Sequence, residues 1–314
     1  MVGQSNMQGH GIIDKRYGEN NLYKNGTLEW LVEHYPDQFS KLKDQSGEWV
    51  ERRDTWITYN RQAIGDLELE MHQNGNLRPG YGGDPPNSFK EMGPELGFGW
   101  TVGDYYNNVD HDEQQILLIK IAWGGRDLMV DYRPPSSGGQ VGPYYESMIA
   151  NALQILSSIE ELFPEYASID EYELTGFVWH QGWNDGCFQN MTEEYEYNLA
   201  NLIRDVRDDL GVPNLPVSIG VSGFMGYHED ASLERGKQLR LRDDIINAQF
   251  AVAEYPEFAG TVASVDTRAF ARTKEYSPGD QIYHWMNNCE TYWLVGQAMG
   301  KAMLELLDTE EEIS

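Results

Sequence analysis

The first residues of the chain contain the strongest candidate for chemistry. Ser5 lies in the run Gly-Gln-Ser-Asn-Met, between a glycine that favours a turn and small or polar neighbours. A serine hydroxyl is a weak nucleophile unless a base takes its proton. The alternative is a serine that caps a helix beginning near Asn6, because serine is preferred at helix N-caps. The segment therefore predicts a nucleophile if the rest of the chain supplies a base.

Two of the seven histidines lie in segments that could supply that base. His284 follows a Gly-Asp turn and precedes the predicted last helix, and His180 lies in the run Trp-His-Gln-Gly-Trp-Asn-Asp. Histidine has an ordinary pKa of about 6.5, which suits proton transfer at neutral pH. We expect His284 to be the general base, with His180 as the alternative.

Taken in order, these segments resemble the marks of the SGNH-hydrolase superfamily. The Gly-Gln-Ser-Asn-Met block, a Gly-Pro-Glu at Gly93, the Trp-His-Gln-Gly block and the late histidine are similar to those of its carbohydrate esterase and sialate O-acetylesterase branch. The resemblance extends from Gly3 to about Leu306. It implies a three-layer αβα, flavodoxin-like fold and a serine esterase that removes O-acetyl groups from a carbohydrate such as acetylxylan. A sialate O-acetylesterase and a non-catalytic carbohydrate-binding relative are the alternatives.

The resemblance also implies roles for individual residues. The oxyanion would be held by the N–H of Ser5, the N–H of Gly93 and the side-chain amide of Gln181, because such donors must face the charge that develops on the carbonyl oxygen. His180 matches a histidine that orients other groups or contacts the substrate. The glycines at 124 and 125 could let the backbone pass close to the site.

The acid that should orient the histidine is where the chain departs from the family pattern. The superfamily has an aspartate three residues before the histidine, and Gln281 occupies that position here. Asp280 is the nearest replacement, and Asp185, at the end of the Trp-His-Gln-Gly segment, is the second candidate. The glutamate that some carbohydrate esterases use is replaced by Trp183. A serine–histidine dyad without an acid is the third alternative.

Tryptophan side chains cluster around the motifs in sequence. Trp123 follows a predicted strand, Trp183 follows the His-Gln-Gly run, and Arg133 lies in a stretch rich in Pro, Ser and Gly. Tryptophan faces stack on sugar rings, so we expect Trp123, Trp183 and Arg133, together with His180, to contact an acetylated carbohydrate. The alternative for the tryptophans is ordinary core packing, because large aromatic side chains contribute strongly to protein cores.

Apolar runs alternate with helical patterns through the second part of the chain. Strands are predicted at 116–122, 174–179, 215–220 and 260–265, and helices at 144–163, 193–210, 233–254 and 290–307. This alternation predicts a doubly wound parallel sheet with right-handed crossovers, which binds ligands beyond the carboxyl ends of its strands. Residues 1–314 contain no repeat or linker, so we predict a single domain.

Two features depart from this simple pattern. Residues 14–110 are rich in Gly, Asn, Tyr and Trp and predict a loop-rich insertion over the site, with a loop at 79–86 and short strands near 48–50 and 56–59. Only Met1 and Val2 precede Gly3, so the strand before the nucleophile is predicted to be truncated or absent. A missing central strand would expose two neighbouring sheet edges, which favours the non-catalytic alternative.

Composition excludes several classes of function. A net charge of −28 argues against nucleic acid or anionic membrane as a partner, since both would repel the protein. No metal-ligand motif, phosphate loop or dinucleotide motif appears, so neither a metal nor a cofactor is expected. Cys187 and Cys289 are either free thiols or a single disulfide. No apolar run reaches the length of a membrane span, and no signal peptide is evident. Proteins of the resembled family are often exported, so we predict a periplasmic or extracellular protein if the N-terminus is truncated and a cytoplasmic one if Met1 is the true start.

Overall fold

The computed structural model describes residues 1–17, 22–62, 69–83, 90–108, 115–164, 172–224, 226–227 and 236–311. Its strands are β1 (Val2–Gly3), β2 (Gly11–Ile12), β3 (Arg16–Tyr17), β4 (Leu22–Tyr23), β5 (Arg52–Gln62), β6 (Leu69–Leu77), β7 (Glu91–Met92), β8 (Ile116–Ala122), β9 (Phe177–His180), β10 (Val217–Gly220) and β11 (Val262–Val265). Its α-helices are α1 (Ser5–Gln8), α2 (Leu28–His34), α3 (Pro36–Phe39), α4 (Pro94–Asn108), α5 (Pro143–Ser157), α6 (Ile159–Leu162), α7 (Gln189–Leu210), α8 (Gly236–Ala253) and α9 (Cys289–Glu311).

A seven-stranded sheet forms the centre of the molecule. Its strand order is β11-β10-β9-β1-β8-β5-β6, and every neighbouring pair is parallel except β5 with β6. Helices α4 and α9 contribute to the core on one face, and α5, α7 and α8 contribute to the core on the other. The predicted α/β three-layer fold with a mostly parallel sheet is confirmed. That all residues form a single domain stays a prediction.

The first strand is short but lies at the middle of the sheet. Val2 pairs with Ile121 on one side and Trp179 on the other. The Met1 amino group donates to the carbonyl oxygen of Ile119 over 2.7 Å, and burial lowers the pKa of that amino group to about 5. A short first strand is therefore confirmed, whereas the alternative of an absent strand is wrong, because β1 keeps β8 and β9 joined through its backbone.

The prediction of a loop-rich insertion at 14–110 is wrong in its main parts, because this segment contains two long strands of the central sheet and helix α4. β5 and β6 are 11 and 9 residues long and extend the central sheet, because β5 pairs in parallel with β8. Helix α4 packs against α9. Residues 56–59 lie in β5, whereas 48–50 form no strand and provide only an isolated bridge between Lys43 and Trp49. The predicted loop at 79–86 is irregular through residue 83, and 84–86 lie outside the described residues.

The other predicted elements agree with the structure to within a few residues. The predicted helix at 144–163 is divided at Ser158 into α5 and α6. Helix α7 begins four residues before the predicted start at 193, and residues 233–235 of the predicted helix before α8 lie outside the described residues. Cys187 and Cys289 are both free thiols, so the disulfide alternative is wrong.

In the part of the chain that the structure describes, no helix has the length and apolar character needed to cross a membrane.

Candidate active site

Ser5 begins α1 directly after the carboxyl end of β1. The residue is 8% exposed, and its hydroxyl makes no hydrogen bond with any described residue. Gln4, not Ser5, is the N-cap of α1, and it makes no side-chain capping bond. The capping alternative for Ser5 is therefore wrong, and both its Oγ and its backbone N–H are left for another partner.

Glycines on either side of the serine permit its tight turn. A Cβ atom on Gly3 would lie 2.1 Å from the carbonyl oxygen of His180, and one on Gly9 would lie 2.0 Å from the Cα of Gly93. Gly9 also ends α1 with a φ of +84°, a conformation that favours glycine. The chain therefore makes a single helical turn that presents Ser5 above the middle of the sheet.

A buried ion pair supports α1 from below. The Lys120 ammonium donates to the carbonyl oxygens of Gln8 and Tyr81 and to the Glu95 carboxylate, over 2.6–2.7 Å. Burial lowers the pKa of Lys120, and the Glu95 charge opposes that shift. The second oxygen of Glu95 accepts the N–H of Gly93 over 2.8 Å. The predicted oxyanion role of Gly93 has no support here, because its N–H is already engaged.

His284 lies in a turn that packs against α1. The turn, Ile282–Asn287, contacts α1, and the Tyr292 hydroxyl lies 3.0 Å from Asn6 Oδ1 and 3.3 Å from the His284 carbonyl oxygen. Tyr292 thus joins the neighbour of Ser5 to the backbone of the predicted base. Trp285 and the two residues after it have φ values of 51–60°, which are uncommon for non-glycine residues.

Gln281 is the hydrogen-bond partner of the predicted base. The Nδ1 of His284 lies 3.1 Å from Gln281 Oε1. Asp280 is exposed and, among the described residues, makes no hydrogen bond or ion pair with His284. The geometry therefore gives no support to Asp280 as the orienting acid.

A second histidine, which the sequence reasoning missed, covers His284. The rings of His10 and His284 are stacked with centroids 3.9 Å apart, and His10 Nδ1 lies 3.0 Å from Glu91 Oε2. Burial, and then the charge of His10, lower the pKa of His284 to about 3. His284 is consequently neutral at neutral pH. The only signal for His10 in the sequence is its position five residues after Ser5.

Asp185 and Gln181 form a buried pair away from His284. Gln181 Nε2 donates to Asp185 over 2.5 Å and to the carbonyl oxygen of Arg126 over 3.0 Å, so both of its N–H groups are engaged. The Asp185 carboxylate also accepts the backbone N–H of Leu128. Burial raises the pKa of Asp185 to about 7. The pair fixes the loop after β8, and the structure supports neither Asp185 as the acid for His284 nor Gln181 as an oxyanion donor.

A cleft opens beyond the carboxyl ends of β1, β9 and β10. Both chain neighbours of Ser5 line it, together with His180, Trp183, Ser222 and Phe224. His180 Nδ1 lies 2.7 Å from the Gly220 carbonyl oxygen, so this nitrogen donates, while Nε2 is buried without a partner. Burial lowers the pKa of His180. His180 is therefore a neutral acceptor at the cleft wall.

The half-buried Trp183 is the tryptophan at this cleft. Its ring lies 5.3 Å from that of Phe224 and 6.4 Å from that of Tyr283, between centroids, and the Arg242 guanidinium lies 4.6 Å from the ring centre. Trp183 and Phe224 therefore form an aromatic part of the cleft wall.

Trp123 and Arg133 are both engaged by neighbouring protein groups. Trp123 is 2% exposed and packs edge-on against Tyr144 in the core. Arg133 donates to three carbonyl oxygens of its own loop and pairs with Glu194 over 2.9 Å. These contacts give no support to the expectation that either residue binds the substrate.

The loop after β8 brings the backbone of Gly124 close to the serine. A Cβ atom on Gly124 would lie 3.8 Å from the Cβ of Ser5 and 2.8 Å from Gln8 Oε1. The N–H of Gly124 makes no hydrogen bond with a described residue. The expectation that the glycines here pass close to the site is confirmed for Gly124.

The assembled groups can carry out acyl transfer to a serine. Ser5 is the candidate nucleophile, and His284, on a turn that contacts α1, is the candidate base. Within the described ranges, no three His, Cys, Asp or Glu side chains lie together so as to hold a metal ion.

Comparison with known proteins agrees with this chemistry. The model of the family described as "Carbohydrate esterase, sialic acid-specific acetylesterase" matches residues 1–255. No curated protein matches the chain by sequence.

Three solved structures are similar to this chain. A protein of Arabidopsis thaliana is 17% identical, with 97% of this chain and 95% of that one covered and a TM-score of 0.56. NanS is 11% identical, with 100% and 96% covered and a TM-score of 0.52. A carbohydrate acetylesterase from Xanthomonas citri is 13% identical, with 96% and 54% covered and a TM-score of 0.48. The first two likenesses agree with the α/β fold described above.

Proposed function

Because the chain belongs to the carbohydrate esterase family of sialic acid-specific acetylesterases and is thus a carboxylic ester hydrolase, we propose that it removes O-acetyl groups from a glycan through an acetyl-enzyme on Ser5. The observation that carries the proposal is the placement of Ser5. Its hydroxyl is unengaged by the described residues, both of its neighbours line the cleft, and its helical turn packs against the turn that holds His284.

The reaction proceeds in two balanced steps. His284 takes the proton of the Ser5 hydroxyl as Oγ attacks the ester carbonyl carbon, and the resulting imidazolium then protonates the departing sugar oxygen. Water attacks the acetyl-enzyme in the second step, with His284 again accepting and returning the proton. Acetate leaves and Ser5 is restored.

The N–H groups of Ser5 and Gly124 are the proposed oxyanion donors. Each N–H is without a described partner, and the two backbones approach each other beside the nucleophile. Gly124 takes the place first assigned to Gly93 and Gln181, whose N–H groups are bound elsewhere. Donors fixed in this way are worth roughly 2.7–4 kcal/mol each to the transition state.

Trp183 and its aromatic neighbours are the proposed stacking surface for the sugar ring. His180 Nε2 is proposed to accept a hydrogen bond from a sugar hydroxyl next to the ester. Acetylxylan and O-acetylated sialic acid are the two glycans to be compared. A long acyl chain, as in a lipase or thioesterase substrate, fits this cleft less well, because Gln4, Asn6, His180, Gln181 and Ser222 give much of its lining a polar character.

The test compares acetate release from 4-nitrophenyl acetate, acetylxylan and O-acetylated sialic acid. Ser5→Ala is expected to lose turnover completely, and His284→Ala to lose about 10²–10⁴-fold in kcat. The exposed Ser157→Ala and His34→Ala are the matched controls and should behave as wild type. Intact mass should show one acetyl group on the wild type and none on Ser5→Ala. A folded wild type that binds these glycans without hydrolysing an ester would instead establish a non-catalytic carbohydrate-binding protein.

A further inference from the structure

The orienting group for His284 is an amide in this chain. Gln281 Oε1 lies 3.1 Å from His284 Nδ1, and neither Asp280 nor Asp185 contacts the imidazole. We infer that Gln281, fixed by Asn287, is the positioning residue of the general base, an inference that rests on the proposed function.

The hydrogen bonds around Gln281 identify which atoms of Gln281 and His284 face each other. Asn287 Nδ2 lies 2.9 Å from the carbonyl oxygen of His10, which can only accept, so Asn287 presents its NH₂ group there. The same nitrogen lies 3.3 Å from Gln281, so the atom of Gln281 that faces it is the acceptor Oε1. His284 Nδ1, which shares this oxygen, must then carry the hydrogen. The tautomer with a free lone pair on Nε2, which the proposed mechanism requires, is thereby selected.

The backbone holds both ends of this contact. The N–H groups of His284 and Met286 donate to the Gln281 carbonyl oxygen, each over 2.9 Å. Gly279 closes the turn by donating to the Met286 carbonyl oxygen, and a Cβ atom on Gly279 would lie 2.0 Å from Asn287 Oδ1. The side chain of Gln281 is exposed as a whole, yet its amide oxygen is held from two sides. The left-handed residues after His284 persist because these bonds over-determine the turn.

A neutral amide selects the tautomer but adds no negative charge beside the imidazolium. An aspartate in a serine–histidine–aspartate triad does both. The charged or titratable side chains that neighbour His284 in the described structure are His10 with its partner Glu91, Tyr283 and Tyr292. The single carboxylate among them, that of Glu91, is bound to His10 and makes no hydrogen bond with His284 Nδ1. The orienting role is therefore assigned to Gln281.

The kinetic test replaces the amide by groups of similar length. Gln281→Met removes the acceptor and is expected to lower kcat roughly 10- to 100-fold with KM for 4-nitrophenyl acetate unchanged. Gln281→Glu restores an acceptor and adds a charge, and should raise kcat above wild type and move the acid limb of kcat/KM to higher pH. A Gln281→Met variant with wild-type kcat would overturn the inference, as would a loss of kcat confined to Asp280→Asn.

A second measurement does not depend on turnover. The ¹⁵N NMR spectrum of His284 in the neutral wild-type protein should show hydrogen on Nδ1 and a lone pair on Nε2, and Gln281→Met should lose this preference. A neutral wild-type His284 with its hydrogen on Nε2 contradicts the inference whether or not the protein is an esterase. The nucleophile is tested separately by Ser5→Ala, so an inactive wild type would count against the proposed function and leave the tautomer result to decide the role of Gln281.

Discussion

The imidazole of His10 lies flat against that of His284, with ring centroids 3.9 Å apart and an angle of 18° between the planes. His10 is in turn bound to the Glu91 carboxylate. Burial is the larger cause of the lowered pKa of His284, and the charge of His10 is the second. A histidine five residues after the nucleophile therefore helps to keep the proposed base free of its proton.

Replacing His10 should change the pH dependence of activity. A neutral glutamine cannot repel a proton on His284, so His10→Gln should raise the pKa of His284 from about 3 towards the ordinary value of 6.5. Only part of the difference is recovered, because burial remains. Since the reaction requires neutral His284, kcat/KM of the variant should fall at a higher pH than that of wild type on acidification. His34→Gln, on the exposed end of α2, is the control, and an acid limb identical in all three proteins would contradict the prediction.

The two motif tryptophans should respond differently to the same truncation. Trp123 is in the core, so Trp123→Ala should lower the free energy of unfolding by roughly 3–5 kcal/mol. Trp183 lines the cleft, so Trp183→Ala should raise KM for the acetylated glycan roughly three- to tenfold while KM for 4-nitrophenyl acetate is unchanged. Urea unfolding and steady-state kinetics on both variants check the prediction. Equal loss of stability in the two would contradict it.

The alternation of strands with helices was enough to predict the fold, and the order of the motifs led to α1 and the His284 turn, which pack against each other. These features are local, or follow from the rule that ligands bind beyond the carboxyl ends of parallel strands. β5 was underestimated because its place in the sheet depends on pairing with β8, more than 50 residues later in the chain.

The expected oxyanion roles of Gly93 and Gln181 lack support for one physical reason. Gly93 and Gln181 have the right residue types for oxyanion donors, but Glu95 and Asp185 lie two and four residues later and take their N–H groups. Which acceptor a donor binds depends on three-dimensional distances that one sequence does not contain. The contact between Gln281 and His284 likewise depends on the three-dimensional position of Asn287, which shares the amide oxygen of Gln281.

The buried ion pair under α1 gives a prediction on stability. Lys120→Met would leave the Glu95 carboxylate buried without its partner and should lower the free energy of unfolding by roughly 3–5 kcal/mol. Lys120→Met/Glu95→Gln should be more stable than the single variant, since a glutamine oxygen can still accept the N–H of Gly93. Urea unfolding of the three proteins measures the difference. A double variant that is less stable than Lys120→Met would show that the unpaired charge of Glu95 does not cause the loss of stability in the single variant.

Asp185 should make stability fall as pH rises. Its pKa is about 7 in the folded protein against an ordinary 3.8, so the folded state holds a proton that the unfolded state releases between these values. The contribution is fully present below about pH 4 and is lost as pH rises through 7, by at most about 1.4 kcal/mol per pH unit within that window. Asp185→Asn does not titrate, so wild type should lose stability relative to the variant over this range. Urea unfolding of both proteins at a series of pH values tests this. Parallel curves of unfolding free energy against pH, or a wild type that gains stability relative to the variant as pH rises, would contradict the prediction. Either result would show that the Leu128 and Gln181 N–H groups stabilise the ionised carboxylate at least as much as burial disfavours it.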